Sequence, residues 1–494
     1  MRIKLFIYLI IFFICDSLLM SCSLAPRYSR PEVKMPVTYK ETSKKTSSQW
    51  RKINSQQQVA MHPHWWRMYR DPTLNILEEK VMTSNQHLKA ALARYEKARA
   101  VAAVARAAYF PTVIGNLNAS RQQASNNLAN PLIAPLYGDQ SLGADFAYEI
   151  DIWGRVRNSV AAAQQLSAAS AADLAAMQLS LQAELAKNYF ALKNRDRAQQ
   201  ILNQTVNVYE KALAIVRQRY AGKIVSMIEV DEAESQLQTV KVKAADNQLK
   251  RAQLEHAIAI LIGEAPAFFT IAPTSVTPRL VEVNSNLPST LLERRPDIAK
   301  AEHLVQAANA GIGVARAAYF PMFNLTGGIG FESATFSNLL KGSSLVWALG
   351  PTSVSPLFSN ESTPLAALTL IDGGRINALT NKARAKYLET VANYKQTVLT
   401  ALQEVEDQLV ALRQLQQETK YQRRAVTTSQ RAAQQALYRY QGGLTTYLDV
   451  VVPQNMALQA ELNAIDIQNR YQLASVQLVK ALGGDWNETE KKNS

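Results

Sequence analysis

Cysteine is almost missing from this 494-residue chain: the only two, Cys15 and Cys22, both lie at its amino-terminal end. Cys15 sits inside a segment that reads as a removable signal, so no intramolecular disulfide remains to be formed. Histidine is scarce too, and His62, His64, His87, His256 and His303 make no HExxH or other metal-ligand spacing. The His62–His64 pair beside Trp65-Trp66 reads as packing or surface. Gly311-Ile312-Gly313 and Gly328-Ile329-Gly330 lack the third glycine of a dinucleotide loop, and G-x-S-x-G is absent. These gaps argue against an enzyme, a metal centre and a bound cofactor. Beyond residue 22 no apolar run reaches the roughly 18 residues that a spanning helix needs. Membrane integration would therefore require a closed β-barrel, because lipid leaves no backbone group unsatisfied.

Glycine and proline are absent from two long stretches, Arg155 to Ala221 and Arg375 to Gln441, each 67 residues. Globular helices average about a dozen residues, and helices of this length would each run about 100 Å. Both are too polar for lipid. Leu174, Met177, Leu181, Leu185 and Leu192 form a partial apolar stripe in the first, which predicts helix-on-helix packing in water.

What is present is said twice. Val104 to Pro111 reads VARAAYFP, and Val314 to Pro321 reads the same. Trp153-Gly154-Arg155 pairs with Gly373-Gly374-Arg375, Arg219-Tyr220-Ala221-Gly222 with Arg439-Tyr440-Gln441-Gly442, and Leu261-Ile262-Gly263 with Ala481-Leu482-Gly483, in the same order. Such a long period means tandem duplication of one large module. Within each copy a helix ends at the YFP proline. The first, Thr73 to Phe110, is free of Gly and Pro and rich in strong helix formers. Leu142 to Asp151 then alternates apolar residues with small or acidic ones, the period of a strand with one wet face. Gly222 and Gly442 end the long stretches, and shorter helices return over Glu229 to Ile262 and Pro453 to Leu482, Pro453 fitting a first helical turn.

The amino terminus addresses the chain to the cell envelope. Arg2 and Lys4 precede the apolar run Leu5 to Cys15, and Leu19-Met20-Ser21-Cys22 closes it, the order of a secretory signal. Those last four residues resemble a bacterial lipoprotein signal, with Cys22 as the acylated residue. Ser23, where an Asp would mark inner-membrane retention, directs the chain to the outer membrane. The formal charge of +14 becomes +13 once Arg2, Lys4 and Asp16 leave. Its Lys and Arg are scattered among Gln, Glu and Asp, which reads as a solvated surface and not as a nucleic-acid site.

Four further stretches carry a family likeness: Ala105 to Pro111, Asp151-Ile152-Trp153-Gly154-Arg155, Leu287 to Ile298 with its LPSTLLERRPDI, and Asp372-Gly373-Gly374-Arg375. On these the chain resembles the outer-membrane efflux proteins, the TolC and OprM family, in its acylated branch. The resemblance implies a mainly α fold with a membrane β-barrel. Each tandem-duplicated α–β–β–α protomer would give four strands and long antiparallel helices, and a homotrimer would close a 12-stranded barrel continuous with a periplasmic α-helical barrel. Four strands cannot close a barrel alone, so oligomerisation follows from the residues as well.

On this reading residues 1–21 are the signal and 22–72 an acylated, extended tether. Repeat 1 spans 73–265, with strands within 112–153 and a long helix over 155–221. A linker covers 266–287. Repeat 2 spans 288–484, with strands within 322–372 and a long helix over 375–441, and 485–494 is a polar tail. Leu142 and Arg155 are 13 positions apart, but Leu349 and Arg375 are 26 apart. Ser359 to Ile371 is accordingly expected as an insertion, the alternative being a replacement final strand over Leu365 to Ile371.

The implied function is a passive exit duct of a tripartite efflux system in the Gram-negative outer membrane. It would carry drugs or other small molecules from a proton-driven inner-membrane pump and a periplasmic adaptor. Outer-membrane lipid would be its other partner, and no cofactor or metal would be needed. Alternatives are a type I secretion duct for polypeptides and a non-conducting structural lipoprotein. The resemblance also implies a periplasmic gate at Leu448 and Asp449, where relatives often carry two acids a turn apart. This chain has Val452 at the second position.

Overall fold

Residues 23–36, 39–41, 64–123, 125, 136–274, 295–350, 366–367 and 372–484 are described by the structure, a computed structural model. The chain divides into two units. One comprises Met1–Pro31, Tyr95–Ser170 and Lys300–Tyr394; the other comprises Glu32–Arg94, Ala171–Ala299 and Lys395–Ser494. Each takes pieces of both repeats.

Helix α1 (Pro72–Ser84) starts where Asp71 accepts the backbone N–H groups of Thr73 and Leu74, with Pro72 at its first position. The single helix expected from Thr73 to Phe110 is broken at Asn85. This residue is extended, receives Leu88 N–H on Oδ1 at 2.9 Å, and donates from Nδ2 to Leu261 O at 2.7 Å. Asn85 thus caps a second helix, α2 (Gln86–Ala107), because its side chain satisfies a backbone donor the helix leaves open.

Strands β1 (Thr112–Gln123) and β2 (Leu136–Ile150) follow, then helices α3 (Arg155–Ala221) and α4 (Met227–Leu261). The second repeat supplies α5 (Pro296–Ala317), β3 (Met322–Ser333), β4 (Leu345–Gly350), the two-residue β5 (Ala366–Ala367), α6 (Arg375–Gln441) and α7 (Leu448–Ala481). Helices α3 and α6 are each 67 residues long. Asp151 accepts Val156 and Arg157 N–H at the start of α3, and Asp372 accepts Gly374 and Ile376 N–H at the start of α6. That is the physical content of the DIWGR and DGGR phrases: an acid at a helix N-terminus, followed by glycines at positive φ (Gly154, Gly373 and Gly374).

In the first unit the strands form an antiparallel sheet in the order β1-β2-β3-β4. The register sets Leu117 against Leu142, Leu142 against Phe331, Phe331 against Leu345, and Ile329 against Trp347. This face is apolar yet uncovered; Trp347 is 71% exposed and Leu117 73%. The alternate positions carry Asn116, Asn118, Ser141, Asp145, Thr326 and Glu332. Water would not tolerate such an exposed apolar sheet face, whereas a bilayer facing it and a wet interior behind it would. No helix among the described residues is long and apolar enough to cross a membrane. A Cβ on Gly327 would collide with the Phe146 ring, so only glycine lets that ring lie across the neighbouring strand.

β5 bears on the extra residues of the second copy. Continuing the β3–β4 register would bring position 353 opposite Phe323, but Ala366 stands there, 13 residues later. Of Ser359 to Ile371 only Ala366 and Ala367 are described, and they pair with Phe323 and Met322 as the replacement-strand alternative requires. The favoured insertion over that whole segment otherwise lies outside the described residues.

The second unit is a helical core. Trp65 and Trp66, in a 3-10 turn (Trp65–Tyr69), pack with Leu74 and Val81 of α1, Leu185 and Phe190 of α3, Ile258 of α4 and Val476 of α7. The two tryptophans are core residues; the adjacent His64 is exposed. Glu78 is fully buried in this unit, its carboxyl oxygens have no hydrogen-bond partner among the described residues, and burial pushes its pKa well up. Arg295 explains part of the LERRPDI phrase: it donates to Ala481 O at the end of α7 (2.8 Å) and to the carboxylates of Asp297 (2.7 Å) and Glu404 (2.8 Å).

Candidate functional site

Two helical hairpins of the second unit carry the site, α3–α4 and α6–α7. Each turns by the same device. Gly222 N bonds Gln218 O and Ile224 N bonds Arg219 O; 220 positions later, Gly442 N bonds Tyr438 O and Leu444 N bonds Arg439 O, all within 2.9–3.0 Å. The next residue is left-handed in both, Lys223 at φ 59° and Gly443 at φ 74°. Glycine takes that conformation without strain; lysine pays a steric cost for it.

Leu448 and Asp449 stand in the first turn of α7, which begins five residues before the Pro453 start expected from sequence. Pro453 lies inside the helix. Its backbone donor is missing one turn above Asp449, so the carbonyl there is released from the helical ladder. Asp449 turns back on its own loop. Its Oδ2 accepts Thr446 N–H at 3.2 Å, Thr446 Oγ1 at 3.0 Å and the Thr445 hydroxyl. Only the acid's half of a capping box is made, Asp449 reaching back to a backbone N–H just ahead of the helix. The Thr445 hydroxyl first, then the hydroxyl and the backbone N–H of Thr446, hold the Asp449 carboxyl below the usual carboxylate range. Leu448 is half exposed, and Val452 and Met456 continue it as an exposed apolar stripe at i, i+4 and i+8.

The equivalent acid of the first hairpin behaves differently. Glu229 accepts the Tyr440 hydroxyl at 3.4 Å, across to the second hairpin. Arg219 completes this connection. Its guanidinium donates to Tyr440 O and Gln441 O, each at 3.1 Å, and lies 4.5 Å from the Tyr440 ring. Tyr440 meets the buried Tyr447 edge-on at 5.5 Å. One turn further, Gln236 and Asn455 exchange amide hydrogen bonds at 2.8 and 2.9 Å. Arg219, Tyr440 and Glu229 were not anticipated as site residues, although the paired RYAG and RYQG phrases contain two of them.

Cys22 lies outside the described residues. The chain just after it is held in the first unit. Ser23 Oγ donates to Asn158 Oδ1 at 3.1 Å, Arg316 donates to Leu24 O at 3.1 Å, and Asn309 donates to Pro26 O at 2.8 Å. Gly313 makes room for it, since a Cβ there would lie 2.8 Å from that of Ala25.

Over residues 77–264 and 287–484 the chain matches the family described as outer membrane efflux protein. It is 31% identical to the outer membrane protein OprJ of Pseudomonas aeruginosa, over 95% of this chain and 94% of OprJ. It is 28% identical to the probable outer membrane lipoprotein SilC of Salmonella typhimurium, over 94% of this chain and 96% of SilC. Among solved structures it superposes on the open state of the Neisseria gonorrhoeae MtrE outer membrane channel with a TM-score of 0.78 and 26% identity, over 94% of this chain and 98% of that one.

Proposed function

This chain belongs to the outer membrane efflux protein family, and on that premise we propose that three copies close one duct, gated at its inner end by the Leu448–Asp449 layer. The protein is the outer-membrane component of an efflux system, conducting small molecules outward beside an adaptor and an inner-membrane pump. The family role is that of a channel and not of a catalyst. Passive conduction leaves the energy to the pump, which we take to be proton-driven.

The observation that carries the trimer is the pair of unlike sheet edges. Among the described residues β1 pairs only with β2 and β4 only with β3, leaving a long free edge on one side and a short one on the other. Unlike edges can join head to tail, and a head-to-tail contact whose rotation closes makes a ring. With β4 and β5 counted as one row along β3, two copies give eight strands, a size that side chains fill; three give twelve, with room for water. Acylation of Cys22 would add an anchor whose attached chain is already strapped by Asn158, Asn309 and Arg316. We assign the insertion energy to the sheet and the sorting to the lipid.

At the gate, three apolar stripes of Leu448, Val452 and Met456 would narrow the pore, and Asp449 would add an acidic layer favouring cations. The test is planar-bilayer conductance of Leu448→Ala, Asp449→Ala and the double variant at several salt concentrations. Leu448→Ala should raise conductance more, and Asp449→Ala should chiefly lower cation preference. Unchanged conductance and selectivity in all three would refute the gate while leaving the duct itself intact. Native mass measurement of detergent-solubilised protein tests the trimer, and palmitate labelling of Cys22→Ser tests the anchor.

A further inference from the structure

One carboxyl of the second unit is held where a carboxylate has no support. Glu78 of α1 is fully buried, and neither of its oxygens has a hydrogen-bond partner among the described residues. It shares a face of α1 with Leu74 and Val81, four residues before it and three after. Both of those pack in the core with Trp65 and Trp66. An ionised carboxylate buried without a partner costs far more than the neutral acid, so the packed state holds Glu78 protonated. Burial alone accounts for this, with no charged neighbour contributing.

The open polar atoms of this core suit the neutral acid. A protonated carboxyl has a hydrogen to donate. Asn75 Oδ1, three residues earlier on the same helix, is a buried acceptor with no donor among the described residues. The titratable and charged groups on the elements around this face are engaged elsewhere or turned to water. Tyr69 of the 3-10 turn meets Ser475 Oγ at 2.7 Å, and Tyr189 of α3 donates to Asp71 Oδ2 at 2.8 Å. Lys193 lies over the Tyr189 ring, Arg67 pairs with Glu79, Lys80 with Glu264, and Glu255 of α4 with Arg251. His256 of α4 is exposed, and Lys480 of α7 donates to Ser180 Oγ. None of them answers a charge on Glu78.

We propose that Glu78 is a proton-held latch: as the neutral acid it lets α1 pack into the helical core against the Trp65–Tyr69 turn, and loss of its proton loosens α1 from that core. When α1 opens, water reaches the carboxyl and its pKa returns to the ordinary glutamate value of about 4.3. The stabilisation of the closed form is therefore complete below that value and is lost as pH rises through the raised folded-state pKa. Asp449 at the gate is shifted the other way, so it is already charged over the range in which the latch works. Asn85, at the end of α1, donates to Leu261 O, so release of α1 reaches the carboxyl end of α4. The latch rests on neither the gate nor the trimer.

The test is amide hydrogen exchange of the full-length protein in detergent from about pH 5 to about pH 8, read as protection corrected for the intrinsic exchange rate. Protection of α1 should fall about tenfold per pH unit, the factor by which one retained proton changes an opening equilibrium. It should level off above the folded-state pKa of Glu78. Protection of β2, in the first unit, should stay constant. Glu78→Gln should remove the slope. Glu78→Leu should remove it too and raise α1 protection at about pH 8 by about tenfold or more, because an apolar side chain has no proton to lose. Constant α1 protection in the wild-type protein would overturn the proposal, as would a slope that survives in either variant. Loss of protection at β2 in step with α1 would also overturn it, since the whole chain and not the latch would then be opening.

Discussion

The two hairpin turns share a backbone and differ in what their side chains do with it. Lys223-Ile224 and Gly443-Leu444 follow identical turns. Ile228 and Leu448 are both exposed, and Glu229 and Asp449 stand at equivalent positions. Yet Glu229 reaches the other hairpin through Tyr440, whereas Asp449 caps its own turn through Thr445 and Thr446. Duplication supplied two copies of one bend, and divergence made one acid a cross-link and the other a local cap. The first hairpin therefore reads as the brace of the second.

Removing the brace should have the largest effect. Arg219→Ala takes away two carbonyl contacts and the cation over Tyr440, together worth about 1–3 kcal/mol. We expect single-channel conductance to rise about threefold or more as the α6–α7 turn is freed. Arg219→Lys should not restore the wild-type value, because an ammonium lacks the fork that meets both carbonyls. If conductance stays unchanged, the hairpins are independent and the comparison collapses.

Leu448→Ala should come next, with a rise of about twofold, and Ile228→Ala should do less, because the gate is assigned to the second copy alone. Equal effects would mean that both hairpins line the constriction. Tyr440→Phe should follow with a smaller rise, since a single 3.4 Å contact to Glu229 is lost while the ring remains under Arg219.

The smallest expected effect is on pH dependence. The pKa of Asp449 is depressed in the folded protein, so its charge and the cap it makes are fully present above the ordinary carboxylate pKa. Both are lost only as pH falls through the lowered value. Cation preference, read as a reversal potential, should thus persist through pH 4. Thr445→Val removes the first cause of the depression and should move the loss of preference upward, toward the ordinary value near 3.9. Thr-to-Val exchange has no counterpart at Val225 in the first hairpin, which already has no hydroxyl there.

Much of this molecule was legible in one dimension. The 67-residue stretches without Gly or Pro are the helices α3 and α6, because uninterrupted helix formers propagate once nucleated. The alternation at Leu142 marked β2, although the strand runs 15 residues and begins six earlier. There polar residues obscure the period, and pairing with β1 decides the length. Asn85 was overlooked as a break since it interrupts an otherwise helical composition, and its role depends on Leu261 O, 176 positions away. Duplication, compartment and the paired turns were thus set by local order of residue types. The partners of Arg219, Glu229 and Asp449 were not, since spacing places two acids at equivalent positions but cannot say which neighbour each will meet. Only the packing of α3–α4 beside α6–α7 decided that, by bringing Tyr440 within reach of one acid and leaving the other to its own loop.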